Sequence, residues 1–309
     1  MFATKILWGT SLLVIVAATT LIPAISLALP HALGYQRPGP ALLSGQGRSQ
    51  KVSYSGVPMH DFHGHRVVIT GAAGIHGSWI AAAFAHAGAT LCLSDLRGDK
   101  LTPLVAELGL DPAVTLTHAT DLREESSIAE LAALVERAWG AADVLINNAG
   151  LYPRTGMLQE LDTETFDTMM AVNLRAPFLT ARAFSKQMIA HGIKGSIVNI
   201  GSGAARRMVA GSVTYCMSKA ALERLSKGQA LELAAHGIRV NVVEPGFAAG
   251  SEVSALPADY VAQMEAKIPL GRSSGPNDAS GAVLYLCSAA AAFVTGAVLS
   301  VDGGNSIGS

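Results

Sequence analysis

The stretch "RVVITGAAGIHGSWIAAAFAHAG" at residues 66–88 constrains the fold more than any other part of the chain. Residues 66–70 are mostly β-branched and apolar, which predicts a short buried strand. Three glycines follow within residues 71–77, and residues 78–88 are alanine-rich and helix-like. A strand, a glycine turn and a helix in this order form the first half of a βαβ unit. The chain should therefore contain a parallel sheet covered by helices.

The same alternation continues to the end of the chain. Helical patterns cover residues 126–139, 163–191 and 214–237, and the further strand-like segments are 89–95, 113–121, 143–150, 195–202, 238–246 and 297–304. This order predicts an α/β fold, a Rossmann-type doubly wound parallel sheet of about seven strands. Without an internal repeat or a second substrate domain, we predict a single domain over residues 59–309.

Charge and cysteine usage exclude several classes of protein. The chain has 22 basic and 23 acidic residues and no basic block, so we expect no nucleic acid partner. Cys92, Cys216 and Cys287 are far apart and fit neither a disulfide framework nor a metal site. We therefore expect no bound metal and a reducing compartment such as the cytoplasm.

The first glycine turn has the features of a dinucleotide site. Glycines there permit a tight turn and close backbone approach to a diphosphate, which the start of the next helix favours electrostatically. Asp95 ends the second strand, where a carboxylate can bind ribose hydroxyls and repel a 2′-phosphate. We therefore expect NAD rather than NADP, although Arg97 could accommodate a phosphate. The candidate residues in the turn are Gly71, Gly74, Ile75, His76 and Gly77.

A second group of polar residues predicts proton-transfer chemistry. Tyr215 and Lys219 are four residues apart on a predicted helix and share one face. A nearby ammonium favours the phenolate and lowers the pKa of a tyrosine, so that it can exchange a proton with an alcohol or ketone. Ser202 ends the fifth strand, at the sheet edge where such sites form. We interpret these three residues as a catalytic group.

From about Met59 to Gly304 the chain resembles the short-chain dehydrogenase/reductase family, single-domain type. The resemblance is carried by TGAAGIHG, Asp95, Asp121–Leu122, NNAG (147–150), Asn173, Ser202, Tyr215/Lys219, EPG (244–246) and VDGG (301–304). These motifs agree with the family in order and spacing. The TGxxGxxG spacing resembles that of the nucleotide-sugar-modifying branch, but the VDGG ending favours the single-domain type.

The resemblance implies a role for each matching residue. Tyr215 would be the general acid/base, Lys219 would lower its pKa and hold the nicotinamide ribose, and Ser202 would orient the substrate oxygen. Asn173 would hold a water that links Lys219 to solvent. The other implied cofactor contacts are Asp121 and Leu122 at the adenine, Asn148, Ala149 and Gly150 along the cofactor, and Pro245 and Gly246 near the nicotinamide.

The substrate is expected to be a small-molecule secondary alcohol or ketone. Its contacts should come from residues 151–157, 203–213 and 247–264, where Arg206 and Arg207 either meet an anionic substrate or are solvated. The resemblance also suggests a homodimer or homotetramer built partly by residues 163–191 and 214–237.

The chain begins with an apolar segment that the fold does not require. Residues 1–29 include an uncharged run at 6–29, long enough to cross a bilayer, and residues 30–58 form a Pro/Gly/Ser-rich linker. We expect a membrane anchor with the catalytic domain in the cytoplasm, since basic residues follow the segment. Two alternatives are a soluble cytoplasmic protein that starts at Met59 and an exported protein.

Three functions remain open from the sequence. The leading one is hydride transfer between NAD(H) and a secondary alcohol or ketone. The second is an NADPH-dependent 3-oxoacyl-thioester reductase, against which Asp95 argues. The third is a non-catalytic cofactor-binding scaffold at the membrane, against which the set of Asn173, Ser202, Tyr215 and Lys219 argues.

Overall fold

The computed structural model describes residues 61–152, 156–249 and 256–307. Within these ranges seven strands form one parallel sheet, in the order β3-β2-β1-β4-β5-β6-β7. The strands are β1 Arg66–Thr70, β2 Thr90–Asp95, β3 Leu116–Ala119, β4 Val144–Asn147, β5 Ser196–Ile200, β6 Arg239–Pro245 and β7 Val298–Val301. The order reverses between β1 and β4, and a ligand crevice forms at such a point, outside the carboxyl ends of the strands.

Eight α-helices cover the sheet in the described part of the chain. They are α1 Ile75–His86, α2 Leu101–Glu107, α3 Glu125–Trp139, α4 Thr163–Met170, α5 Ala176–Ala190, α6 Val213–Leu233, α7 Ala258–Glu265 and α8 Asp278–Cys287. A π-helical turn, Ala171–Arg175, joins α4 to α5. The sequence predicted α1, α3 and α6 and one continuous helix at 163–191. It did not predict α2, α7 or α8.

Two apolar cores lie on opposite faces of the sheet. Val67 and Ile69 of β1 pack into the core formed with α1, α2 and α8, whereas Val68 between them packs into the core formed with α3, α5 and α6. Successive strand residues point to opposite faces, so a strand buried on both sides must be apolar throughout. This explains the continuous apolar runs and confirms the predicted doubly wound α/β fold.

The prediction of a membrane-anchored enzyme is wrong as far as the structure describes the chain. No helix in the described ranges has both the length and the apolar character needed to cross a bilayer. The segment at 6–29 and the linker at 30–58 lie outside the described residues. The chain divides after Ser55, and all described residues belong to the second unit, Gly56–Ser309.

Candidate active site

The glycine turn after β1 is shaped by packing at two of its three glycines. Gly71 has a φ of +63°, and a Cβ there would lie 2.7 Å from the Ala149 Cα. A Cβ at Gly77 would lie 2.1 Å from the Gly71 oxygen. Gly74 differs, since its Cβ would meet only that same oxygen, at 3.4 Å. Gly74 is partly buried and leads directly into α1, whose first turn has no side-chain cap and can bind an anion.

Ile75 and His76 form the first residues of α1. Burial lowers the pKa of His76 to about 4, so the ring is neutral at physiological pH. Its Nδ1 has no hydrogen-bond partner among the described residues, and the ring packs edge-to-face against Trp79 at 5.4 Å. His76 therefore brings no positive charge to the turn.

The Asp95 carboxylate is joined to the glycine turn. Its Oδ2 accepts a hydrogen bond from the Ala73 amide at 3.0 Å, and its Oδ1 accepts one from the Arg97 amide at 3.0 Å. The Arg97 guanidinium folds back and donates to the Ala73 oxygen at 3.1 Å. The carboxylate and the turn thus form one unit beside the crevice, and the ribose-binding role expected of Asp95 stays a prediction.

The segment after β4 forms the opposite wall of the turn. The Asn148 Nδ2 donates to the Thr70 and Gly71 oxygens at 3.1 and 2.9 Å, and the Ala149 amide donates to the Thr70 Oγ1 at 3.3 Å. A Cβ on Gly150 would lie 3.5 Å from both the Asn173 Oδ1 and the Lys219 Nζ. Asn148, Ala149 and Gly150 therefore connect the glycine turn to the candidate catalytic residues.

Asp121 and Leu122 lie beyond β3 at the same end of the sheet. Leu122 is buried against Ile128 and Leu179. Arg123 donates to both carboxylate oxygens of Asp121 and holds its pKa below the usual value. The side chain of Asp121 is therefore engaged, and its contribution to a nucleotide site would come from the backbone beside Leu122.

Ser202 and Tyr215 meet at the carboxyl edge of the sheet. Ser202 follows β5 and Tyr215 lies in the first turn of α6, where the Ser202 side chain influences the Tyr215 phenol. Burial raises the pKa of Tyr215, while the Ser202 hydroxyl opposes that rise. The sequence predicted a lowered pKa, but burial is the largest effect in the structure. The Tyr152 ring lies 4.4 Å from the Tyr215 ring, a contact that the sequence did not reveal.

Lys219 lies under Tyr215 on the same face of α6. Its Nζ is 5.9 Å from the centre of the Tyr215 ring and donates to the Ile200 oxygen at 2.8 Å. Because the side chain is almost fully buried, its pKa falls to about 8. The structure thus places the ammonium near the phenol, as predicted from the spacing.

Asn173 is fully buried in the π-helical turn. Its Oδ1 accepts from the Leu151 amide at 2.8 Å, and its Nδ2 donates to the Leu151 oxygen at 3.0 Å and the Ser218 Oγ at 3.1 Å. These bonds fix the chain that leads to Tyr152 and join it to α6 beside Lys219. A π turn inserts one residue into a helix, and such insertions are frequent at functional sites.

Pro245 and Gly246 end β6 on the other side of the crevice. The Gly246 amide donates to the Val301 oxygen at 2.9 Å, and a Cβ at Gly246 would lie 2.9 Å from the Asp302 Cα. Gly246 and Phe247, together with residues from the 268–278 segment and residues 300–304, line a cavity of about 320 Å³. The two terminal motifs of the sequence, EPG and VDGG, therefore pack directly against each other.

The two arginines considered for an anionic substrate are bound within the protein. Arg206 pairs with the buried Glu244, and Arg207 donates to the Asn305 oxygen at 3.0 Å. Residues 153–155 and 250–255 of the expected substrate segments lie outside the described residues. In the described part, residues 258–265 form the helix α7.

Comparisons with known proteins identify the family of the chain. A family model described as enoyl-(acyl carrier protein) reductase matches residues 71–306. The chain is 36% identical to cis-4-hydroxycyclohexanecarboxylate dehydrogenase of Sinomonas cyclohexanicum over 77% of this chain and 94% of that protein.

Two solved structures extend the comparison to three dimensions. One is a short-chain type dehydrogenase/reductase of Mycobacterium marinum, with 33% identity, a TM-score of 0.74, and coverage of 80% of this chain and 97% of that one. The other is a 3-ketoacyl-(acyl-carrier-protein) reductase of Brucella melitensis complexed with NADH, with 29% identity, a TM-score of 0.72, and coverage of 79% and 99%. The chain therefore belongs to the short-chain dehydrogenase/reductase family and is an oxidoreductase that acts on CH–OH groups.

Proposed function

We propose that this enzyme transfers a hydride between NAD(H) and a secondary alcohol or its ketone, with Tyr215 as the general acid/base. The observation that supports this most is the arrangement of Ser202 and Tyr215 beside the buried Lys219, whose Nζ lies 5.9 Å from the centre of the Tyr215 ring. A phenol, a hydroxyl and an ammonium at the carboxyl edge of a doubly wound sheet can accept a proton from an alcohol and stabilise the resulting charge.

Each catalytic residue has a distinct part in this proposal. Tyr215 takes the proton of the substrate hydroxyl during oxidation and returns it during reduction. Ser202 donates a hydrogen bond to the reacting oxygen, and Lys219 stabilises the Tyr215 phenolate. Asn173 holds the Leu151 backbone and a water that passes protons from Lys219 to solvent. The nicotinamide of the bound cofactor supplies the hydride chemistry.

NAD fits the residues at the glycine turn. The uncapped start of α1 and the open face of Gly74 would hold the diphosphate, and Asp95 would accept from the ribose hydroxyls. We assign the adenine to Asp121 and Leu122, the length of the cofactor to Asn148–Gly150, and the nicotinamide to Lys219, Pro245 and Gly246. A carboxylate that is already joined to the turn disfavours a 2′-phosphate, so NADP should bind more weakly.

The substrate proposal rests on Tyr152 and on the relative from Sinomonas. Tyr152 places an aromatic ring against Tyr215, where it forms a flat wall for a ring-bearing alcohol. The name of that relative specifies a hydroxyl on a cyclohexane ring. We therefore place cyclic secondary alcohols first among candidate substrates. Reduction of 3-oxoacyl thioesters is the second candidate, because the structure from Brucella has that activity in its name.

We also propose that the enzyme is a homo-oligomer. Phe178 on α5 is 44% exposed and borders a groove of about 610 Å³ between α4–α5 and α6. An exposed aromatic ring in an apolar groove suits a second copy of the same helices. Phe178→Glu should reduce the molar mass measured by light scattering. An unchanged molar mass would exclude this groove as the interface between copies of the chain.

The experiment that tests the function follows NADH formation with the full chain. The panel contains cyclohexanol, cis-4-hydroxycyclohexanecarboxylate and 3-hydroxybutyryl-CoA, each with NAD and with NADP. Tyr215→Phe removes only the hydroxyl, and the matched control Tyr285→Phe changes a tyrosine on α8. We expect turnover that Tyr215→Phe lowers by at least about 100-fold and Tyr285→Phe does not. Equal turnover in the two variants would refute the assigned role.

A further inference from the structure

The turn that carries Ser202 also carries Arg206. Ser202 caps a single 3-10 turn, Gly203–Ala205, and its Oγ accepts a hydrogen bond from the Ala204 amide at 3.2 Å. Arg206 is the residue that follows this turn. Any group that fixes Arg206 therefore limits the positions open to the Ser202 hydroxyl.

Arg206 is anchored on three elements that are distant in sequence. Its Nη2 donates to the Glu244 Oε2 at 2.5 Å, the Ser300 Oγ at 2.8 Å and the Ser306 Oγ at 3.1 Å. Ser300 also donates to the Glu244 Oε2 at 2.7 Å. These contacts join the serine turn to β6, to β7 and to the segment after β7.

Glu244 makes this anchor strong. Its side chain is fully buried, although 43% of the Arg206 side chain is exposed. A buried carboxylate must be paired, so removing the guanidinium would leave an uncompensated charge. Glu223, four residues after Lys219 on α6, is close enough to Glu244 that burial together with this neighbouring carboxyl raises its pKa. Arg206 is the cation that pairs with Glu244.

The segment after β7 also contacts the turn directly. A Cβ added to Gly203 would lie 3.1 Å from the Ser306 Cβ. The Ser306 amide is itself fixed by the Asp302 Oδ2 at 2.8 Å. Residues 302–306 therefore pack against the turn.

We propose that Arg206 is a positioning residue, which fixes the Ser202 hydroxyl for the reaction at Tyr215 through its anchor on Glu244, Ser300 and Ser306. This inference rests on the proposed function. It replaces the interpretation of Arg206 as a contact for an anionic substrate. It also makes the segment after β7 part of the catalytic framework.

The first test measures turnover of cis-4-hydroxycyclohexanecarboxylate with NAD by Arg206→Met in the full chain. We expect kcat to fall about 10- to 100-fold while the NAD dissociation constant stays unchanged. Arg206→Met leaves the buried Glu244 carboxylate without its partner. The double variant Arg206→Met/Glu244→Gln removes that charge as well, and it should recover the melting temperature but not kcat. Arg137→Met, which alters an exposed arginine on α3, is the matched control and should keep wild-type kcat. Recovery of kcat in the double variant would mean that Arg206 only stabilises the fold and would overturn the proposal.

A second test needs no substrate. Ser202 lowers the pKa of Tyr215, so loss of its position should raise that pKa. Ultraviolet titration of tyrosinate, taken as the difference from Tyr215→Phe, should show this rise in Arg206→Met and in Ser202→Ala. Because Arg206 acts through Ser202, Arg206→Met in the Ser202→Ala background should add nothing further. A further rise of the Tyr215 pKa in that double variant would refute the inference that Arg206 acts through Ser202.

The failures of the two proposals can be told apart. Turnover that survives Tyr215→Phe refutes the proposed function. Turnover that depends on Tyr215 but is the same in Arg206→Met and Arg137→Met refutes only the role of Arg206.

Discussion

Lys219 donates a hydrogen bond to the backbone oxygen of Ile200 at 2.8 Å from a position in which the residue is 4% exposed. In the described ranges, every salt bridge joins a carboxylate to a histidine or an arginine. The Lys219 ammonium therefore has no carboxylate partner there. Burying a charged group without an opposite charge destabilises the fold. The residue that we propose for the proton chemistry should therefore destabilise the fold.

Lys219→Met should consequently abolish turnover and raise the melting temperature. The pKa of Lys219 is lowered from 10.5 to about 8 by burial, so the unfolded chain binds more protons between these values. Wild type then gains stability as pH rises through that interval, and the methionine variant does not. Calorimetry from pH 7 to 10 should show the advantage of the variant shrinking with pH. An advantage independent of pH would contradict the assigned cause.

Gly77→Ala and Gly74→Ala should separate packing from cofactor binding. A Cβ at Gly77 would lie 2.1 Å from the Gly71 oxygen and 2.8 Å from the Asn148 Nδ2, so the turn must shift at a cost of about 1–3 kcal/mol. A Cβ at Gly74 meets nothing closer than 3.4 Å. We expect Gly77→Ala to lower the melting temperature. Gly74→Ala should preserve it and weaken NAD binding, as measured by NADH fluorescence. Equal melting temperatures for Gly77→Ala and Gly74→Ala would contradict the assignment of Gly77 to packing and of Gly74 to cofactor binding.

Much of this site could be predicted from the sequence because local patterns define it. The strand at 66–70 was confirmed, since a strand buried on both faces is apolar throughout. The predicted strand at 143–150 ends at Asn147, because Asn148 turns its side chain back to bind the end of β1. The α8 segment was missed because it is apolar on nearly every side and lacks the periodicity of a half-exposed helix.

The features that could not be predicted depend on distant contacts. Arg206 and Glu244 are far apart in the chain, and no local pattern shows that the carboxylate is buried. The π turn at Ala171–Arg175 leaves the helical composition of 163–191 unchanged, so periodicity does not reveal it. Only the fold shows that Asn173 binds the Leu151 backbone.

Asp95→Asn should reduce the preference for NAD over NADP. The substitution preserves the size of the side chain and removes the charge that repels a 2′-phosphate. A hydrogen bond to a charged group contributes about 1.5–3 kcal/mol, so the ratio of kcat/KM values should fall roughly 10- to 100-fold. Asp99→Asn, at an exposed residue on the same segment, is the control. If both variants keep the wild-type ratio, another residue determines cofactor choice.

Tyr152→Phe should shift the pH dependence of alcohol oxidation without removing the aromatic wall. The Tyr152 hydroxyl raises the pKa of Tyr215, so its loss should lower that pKa. Oxidation requires the deprotonated Tyr215, and the acidic limb of the kcat/KM profile should therefore move to lower pH. Tyr152→Ala removes the ring as well, and it should raise KM for cyclohexanol more than for 2-propanol. A profile unchanged in Tyr152→Phe would show that the two phenols do not interact, and an equal change in KM for both alcohols would exclude Tyr152 as a wall of the substrate site.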